Sequence, residues 1–490
     1  MSASLEALTI DPTGKATYIV QKEHAKGFSW GSISSNSSLS HDSGLTVHKD
    51  SPIMESYPIQ VRKDLLPPEP LANALLDIYF ADIHPYMPVI NKSLFYHQWR
   101  YERENMSLFL LECMFGTACR LCEGPAIQDS PEDTNTAGVM WYRRALDHLD
   151  DFLDCARFTT VQGILILIKC KETMPGDGYY YRGWMMLSAA IRMGIDCGLN
   201  KSTTRNRSSP AEKRVWQVVS HIDQLMSTAQ GRESQMSRAN LDDTNYTADA
   251  GDDETELELL NNFTYLNMLI RLLRRATEIV TQWGSGFWPS DPRYKTLSQI
   301  LESWQEKLPP QLRIQLPGSI AEPFPLPKHH FSVNLQIAFW MTSLLMYRPW
   351  LLHSPPEKST TTEASKHISK AIYAAKAITQ YVTAVYQQYG LKHFKYMLRG
   401  INFTIYACVA AVFVLIHATR FDSDALAYFH KLSEFLEIAL SDSSSAEIKE
   451  SLRKIRAAYP EYESFSKSPK TMQLNPMYAT PGYGDPNVTG

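Results

Sequence analysis

The sequence predicts an all-α protein: a large, irregular array of many helices between disordered N- and C-terminal tails. Three observations carry this. Apolar residues recur at helical spacing from Leu71 to about Ala458, without a strand pattern of convincing length or a fixed-period repeat. A hydrophobic fraction of 44% over 490 residues is ample for a large core. Helix start and stop signals punctuate the periodic stretches. Residues 1–62, rich in Ser, Gly, Asn and His over 24–58, read as a disordered leader and linker, and the Pro-, Gly- and Ser-containing residues 461–490 as a disordered tail.

Between those tails each element has its own justification. Leu71, Leu75, Ile78 and Tyr79 mark a first helix, which His84-Pro85 and Pro88 should end. Neither proline continues a helix, and each biases its predecessor, His84 or Met87, towards extended backbone. Met106 to Cys122 is strongly apolar, and Ala137 to Phe152 carries an amphipathic stripe. Thr159 stands where it can cap a run from Val161 to Lys171. Tyr179 to Cys197 is a long segment closed by Gly198 at the C′ position. Ser209-Pro210-Ala211-Glu212 is a start signal: an N-cap, a first helical proline and a capping-box partner. Asp242 to Glu258, with Asp253, Glu254 and Glu256 among its acids, reads as an exposed loop feeding a helix over Leu259 to Trp283, with helix-start acids favoured by the dipole as the reading and an acidic activation segment as the alternative. A Pro-rich connection over 308–327 divides a first helical half, 63–307, from a second, 328–460, that resumes at Val333.

Composition excludes several functions. A net charge of −4 argues against a surface made for nucleic acid. The densest basic group, Arg271 with Arg274 and Arg275, reads as a solvated helix face. No secretory signal is evident near Met1, and the apolar runs Ile164 to Ile168 and Ala407 to Ile416 fall short of the roughly 18 residues needed to span a bilayer. A soluble, intracellular protein with no membrane contact is expected. Seven cysteines in mostly apolar helical surroundings fit reduced thiols, and Cys119-x-x-Cys122 has no second pair at metal-finger spacing.

Enzyme templates mostly fail. There is no G-x-S-x-G, H-E-x-x-H or Walker A pattern, and Gly176-Asp-Gly178 with Gly183 lacks the strand a dinucleotide loop requires. Asp150-Asp151-Phe152-Leu153-Asp154 is a D-D-x-x-D that resembles the magnesium motif of all-α terpene synthases. Its second metal motif would be Asp223, Ser227 and Gly231, where the final carboxylate is missing. The run is better read as a solvated helix end. His329 and His330 show no ligand spacing and read as helix-start or surface histidines.

Five stretches point elsewhere when taken in order. Tyr79-Phe80, His84-Pro85, Pro88, Val89-Ile90 and Phe95 come first. Trp141-Tyr142-Arg143-Arg144-Ala145 with Thr159 to Ile168 follows, then Trp184 with Ala190-Ile191-Arg192-Met193-Gly194 and Gly198-Leu199-Asn200. Lys213-Arg214-Val215-Trp216 leads to Asp223 and Gly231-Arg232. Leu345 to Leu351, containing Arg348-Pro349, comes after Leu308-Pro309-Pro310. This succession, over roughly residues 65 to 420, resembles the regulatory domain, or middle homology region, of fungal zinc-cluster transcription factors. Glu233 and Gln217 depart from its usual Pro and second Trp, and no cysteine precedes Cys113, so the six-cysteine DNA-binding module is not in the chain as written.

The resemblance implies a nuclear transcription regulator, pathway-specific for a metabolic gene cluster in the manner of secondary-metabolism regulators, and not an enzyme. It implies no catalytic, cofactor or metal residue in this chain, with zinc only if an N-terminal cluster exists. The implied partners are other transcription regulators in a homo- or heterodimer, and a small-molecule effector, with DNA reached only indirectly or through the missing module. A helical adaptor or repressor dimerising with a full-length relative is the alternative within that class; the magnesium-dependent isoprenoid synthase is the alternative outside it. The matched residues His84, Pro85, Pro88, Trp184, Arg192, Gly198, Arg214, Trp216, Arg348 and Pro349 are read as architectural. Arg192 should meet a buried carboxylate or carbonyl, and Arg348 should satisfy carbonyls at a helix end that Pro349 stops. Gly194 and Gly198 should allow close helix approach or left-handed caps.

Overall fold

A computed structural model describes residues 8–10, 16–18, 56–121, 137–174, 179–200, 209–230, 232–236, 252–280, 291–316, 326, 330–353, 362–397, 399–420 and 422–441. The expectations for Cys122, for the Gly176 turn and for the tail beyond residue 460 lie outside these residues. Two compact units arise, Met1–Met54 and Glu55–Gly490. In the first, β1 (Leu8–Ile10) and β2 (Ala16–Tyr18) pair antiparallel with Leu8 opposite Tyr18. The leader therefore holds a short hairpin that its composition did not announce.

The second unit is helical. Its elements are α1 (Glu69–Ile78), α2 (Lys92–Tyr101), α3 (Leu108–Cys119), α4 (Val139–Phe152), α5 (Phe158–Glu172), α6 (Tyr179–Asp196), α7 (Pro210–Gln230), α8 (Glu254–Val280), α9 (Pro292–Lys307), α10 (His330–His353), α11 (Thr362–Tyr389), α12 (Gly400–Ala418) and α13 (Ala425–Ser441). Helices α3 and α5 form the centre of one layer, with α1, α4 and α6 around them; α10, α11 and α12 form another, closed by α13. Helix α8 packs against α7, α9 and α10 and so joins the two. The buried apolar residues form one cluster from Val61 to Ala439, continuous across the Pro-rich connection. Tyr57, by composition part of the leader, stacks on Phe152 at 6.3 Å.

Local signals account for many ends. Ser209 and Glu212 make the reciprocal capping box: Glu212 N–H donates to Ser209 Oγ at 3.2 Å and Ser209 N–H to Glu212 Oε2 at 2.8 Å. Gly198 has φ 81°. Its N–H donates to the Ile195 carbonyl and that of Leu199 to the Gly194 carbonyl, each at 2.9 Å, which is a Schellman closure of α6. A Cβ on Gly194 would sit 3.0 Å from Trp216 Cζ3, so glycine lets α6 and α7 approach closely there without the indole having to shift.

Other expectations are corrected. Thr159 does not cap α5, which starts one residue earlier with Arg157 before it. Pro349 does not stop α10; it is buried within the helix, which runs on to His353. Its ring removes one amide bond near the end, where only one further turn must be held. Helix α12 is 19 residues long and apolar enough to cross a membrane, longer than the apolar run suggested. Yet 83% of that stretch is buried by neighbouring helices, including α10, α11 and α13, and it is a core helix.

Candidate functional site

The His84-Pro85 segment is not a simple stop. Helix α1 passes into a π turn, Tyr79–Ile83, and the His84 N–H donates five residues back to the Tyr79 carbonyl at 3.0 Å. His84 itself is helical, φ −52° and ψ −37°, against the bias a following proline imposes. The reason is tertiary. The turn directs His84 to α8 and both Asp82 and Tyr86 to α10, and Pro85 and Pro88, both buried, fix the exit.

His84 is fully buried and its Nε2 donates to Glu256 Oε1 at 2.8 Å. Glu256, 3% exposed, lies in the first turn of α8, where its own N–H donates to the capping Asp253 Oδ1 at 2.8 Å. Glu254, Glu256 and Glu258 are therefore part of the helix, and Glu256 points into the protein rather than out of an exposed loop; the acids from Asp242 to Asp249 lie outside the described residues. Burial pulls the Glu256 carboxyl up, but the His84 hydrogen bond and the charges of His84, Arg214 and Lys92 outweigh it and hold it below its usual value. Arg214, on α7, is fully buried. Of the sequence-selected residues, His84 thus bonds a carboxylate that was not selected, and the Arg214 charge acts on it.

The same turn reaches the second layer. Asn334 Nδ2 of α10 donates to Tyr86 Oη at 2.9 Å, Tyr86 lies 2.7 Å from His330 Nδ1, and His330 Nε2 lies 3.2 Å from Asp82 Oδ1. His330 is 4% exposed and stacks on Tyr396 at 3.9 Å, so it is not a surface histidine. Asp82, His84 and Tyr86, spaced by two, bind the turn to α8 and α10 together.

Buried carboxylates recur at the other matched stretches. Glu112 of α3, fully buried, meets Arg144 at 2.8 Å and His148 at 2.8 Å, both on α4. Burial still leaves its carboxyl above the ordinary value despite those two partners. Asp223 of α7 accepts the N–H groups of Gln235 at 3.1 Å and Met236 at 3.0 Å and the Ser234 hydroxyl, pinning the segment after α7. Lys169 and Glu172 of α5 pair at 2.9 Å, and Lys169 also donates to the carbonyls of Lys395, at 2.7 Å, and Met397. Beside them Arg399, at φ 70°, donates to the Leu225 carbonyl at 3.2 Å and lies 4.8 Å from the Tyr180 ring.

The remaining selected residues have other places. Trp184 is half-buried under the Arg232 guanidinium, 5.5 Å away, and Trp216 is 8% exposed against Gly194. Gly198 caps α6, and Arg348 is half-buried one residue before Pro349, inside α10 and not at its end. Arg192 is exposed, which corrects the expectation of a buried partner. The inward face of α6 is Leu187, Ala190, Ile191 and Gly194, and one residue past Ile191 turns the side chain outwards. A signal for the missed acids did exist. Glu112 sits in a run that is otherwise apolar, where a carboxylate is affordable only with a partner.

The D-D-x-x-D run has no such enclosure. Asp150, Asp151 and Asp154 are exposed at and beyond the end of α4, and Asp154 pairs with Arg157 at 2.9 Å. Asp223, its would-be counterpart, already accepts three donors from Ser234, Gln235 and Met236. Among the described residues no three His, Cys, Asp or Glu side chains gather as a metal site.

Comparison with known proteins agrees with the ordered motifs. Residues 76–301 match the fungal specific transcription factor domain. The chain is 28% identical over 208 residues to Cutinase transcription factor 1 alpha of Fusarium vanettenii, covering 40% of this chain and 21% of that protein. It is 22% identical over 395 residues to the Acetamidase regulatory protein of Aspergillus fumigatus, covering 78% and 46%. It is 24% identical over 357 residues to the Nitrogen assimilation transcription factor nirA of Emericella nidulans, covering 66% and 38%. The chain thus spans between about a fifth and a half of the length of these curated relatives. The stretch that holds the π turn, Glu112, the capped α6, Arg214 and Glu256 is a fungal specific transcription factor domain.

Proposed function

We propose that this chain is a transcription regulator whose helical body, built on that domain, gates transcriptional output in the nucleus. One observation carries the reading: the domain match over 76–301 coincides with the elements that hold the buried carboxylates. Three relatives with names of transcription factors or regulatory proteins align beyond or within it. The body acts by changing its contacts with other transcription regulators, as a homo- or heterodimer, when a small-molecule effector binds. DNA is reached through such a partner or through a zinc module, the group that would bring zinc. The pathway-specific control of metabolic genes fits the same reading, and no catalytic role is assigned to any residue.

The geometry is suited to gating. The turn at residues 79–90 bonds to α8 and to α10 through polar contacts, and a small shift at such a junction is amplified because packed interfaces switch between discrete arrangements rather than deform continuously. A reporter assay tests the proposal. The full chain, fused to an unrelated DNA-binding domain in a fungal host, should change expression from a tethered promoter severalfold. The native chain, tagged, should be recovered at promoters by chromatin immunoprecipitation. Loss of both signals in cells that express the folded protein would defeat the reading.

A further inference from the structure

Helix α6 buries one face and exposes the other. Leu187, Ala190, Ile191 and Gly194 point into the protein, while Tyr181, Met185 and Ile195 are 65%, 69% and 42% exposed. Helical phase aligns Tyr181, Met185 and Arg192 along the middle of the outer face. Ser188 and Ile195 flank that line on one side, and Arg182, Ala189 and Asp196 on the other. The segment after α7 borders this face rather than covering it. Arg232 lies 5.3 Å from the Tyr181 ring, and Ser188 Oγ donates to Gln235 Oε1 at 2.5 Å. A solitary exposed apolar residue needs no account, but a row of Tyr, Met and Arg beside Ile has the composition of a protein interface.

The face is complementary to itself. Turning the helix end for end about the midpoint between Ser188 and Ala189 brings Met185 opposite Arg192, Arg182 opposite Asp196 and Tyr181 opposite Ile195, each within about 1.5 Å along the axis. In an antiparallel pair each flank meets its own counterpart, so Arg182 and Asp196, which share a flank, fall on the same side of the contact. The aliphatic stem of Arg192 can lie along Met185 with its charged head in water. At the midpoint the side chains are small, which lets two such helices approach closely.

The charges favour a second copy over an unrelated partner. Arg182 stands near the N-terminus of α6 and Asp196 is its last residue, each at the end that its own helix dipole disfavours. Beside an antiparallel copy, each lies at the end that favours it and next to the opposite charge. Arg182 reaches Tyr142 Oη only at 3.4 Å, and among the described residues neither Arg182 nor Asp196 is in an ion pair.

We propose that the outer face of α6 is a homodimer interface. Two copies of this chain pair antiparallel through α6, across a two-fold axis at Ser188 and Ala189, with Arg182 of each copy against Asp196 of the other. Naming this as the contact through which the regulator dimerises rests on the proposed function; the pairing itself does not. One helix face per copy is smaller than the roughly 800 Å² per partner of a standard interface, so the association is in the micromolar range.

Sedimentation velocity of the full chain, from low to high micromolar concentration, should show a monomer passing to a dimer. Met185→Asp, at an exposed position outside the core, should weaken the dimer at least about tenfold, because it buries an unpaired carboxylate from each copy. Arg182→Glu and Asp196→Arg should each weaken it about threefold or more, since each sets like charges together at two symmetric places. Mixing those two variants should restore the dimer, each changed residue then facing its opposite charge on the other copy. If a charge variant does not fold by circular dichroism, Met185→Asp decides alone. A monomer at every concentration overturns the proposal. So does a dimer that Met185→Asp leaves intact, which would put self-association on another surface, and so does a mixture that associates no better than either variant alone. A monomeric chain that still drives the reporter would remove this interface and leave the regulator reading standing; a dimer that drives no reporter would do the reverse.

Discussion

The acidic run Asp150 to Asp154 and the acids that open α8 look alike in sequence, and the fold uses them in opposite ways. The first leaves Asp150, Asp151 and Asp154 in solvent, with one exposed pair to Arg157. The second turns Glu256 inwards to His84, with the Arg214 charge acting on it, and leaves Glu254 outside. Local charge density therefore says little about what a carboxylate does. Burial decides, because an ion taken out of water must be paid for by a partner, whereas an exposed pair is screened and contributes little. The run that resembled a metal motif is the exposed one, and an acid that read as one more helix-start charge is buried against His84.

The sharpest way to break this contrast is to remove the buried acid. Glu256→Ala should destabilise the chain by about 3–5 kcal/mol, since it leaves His84 and the Arg214 charge facing a dry gap. Denaturant unfolding measures it, and a loss below about 1 kcal/mol would show that Glu256 is solvated.

The pH dependence sharpens it next. His221 is lowered from 6.5 to about 4 in the fold, so between those values the unfolded chain binds the extra proton. Stability should be complete above about pH 6.5 and fall by about 3 kcal/mol towards pH 4, from this group alone. His221→Gln should flatten that part of the profile; an unchanged slope would mean that the ring protonates in place. Glu256 acts in a lower window. Its carboxyl is held below the usual value, so its contribution is present above the unfolded carboxylate range and is lost as pH falls through the folded value.

A milder change at the same position is Glu256→Gln, which keeps an acceptor for His84 but removes the charge. A loss of about 1–3 kcal/mol is expected, less than for Ala, and a double-mutant cycle with His84→Gln should show coupling of at least about 0.5 kcal/mol. The smallest effects belong to the exposed run. Asp151→Asn and Asp154→Ala should each stay within about 0.5 kcal/mol of the parent, and millimolar magnesium should not shift the unfolding midpoint of either protein. A magnesium-dependent shift that Asp151→Asn abolishes would restore a metal site there.

Much of this molecule was legible in its sequence. The all-helical class, the capping box at Ser209, the left-handed closure at Gly198 and the close approach at Gly194 depend on near neighbours along the chain, and short-range spacing reports them. The ordered motifs located the domain, because their residue types and order survive where contacts are unknown. The site itself was half legible: His84 and Arg214 stood out, while Glu256, Glu112 and His330 did not. Tertiary structure alone decided which charges are inside. His84 meets Glu256 across 172 residues and Asp82 meets His330 across 248, and no local pattern encodes such a meeting. The same holds for the helical backbone at His84, the outward turn of Arg192 and the passage of α10 through Pro349. In each case a packing partner or the phase of a helix settled the outcome, and both are fixed only when the helices assemble.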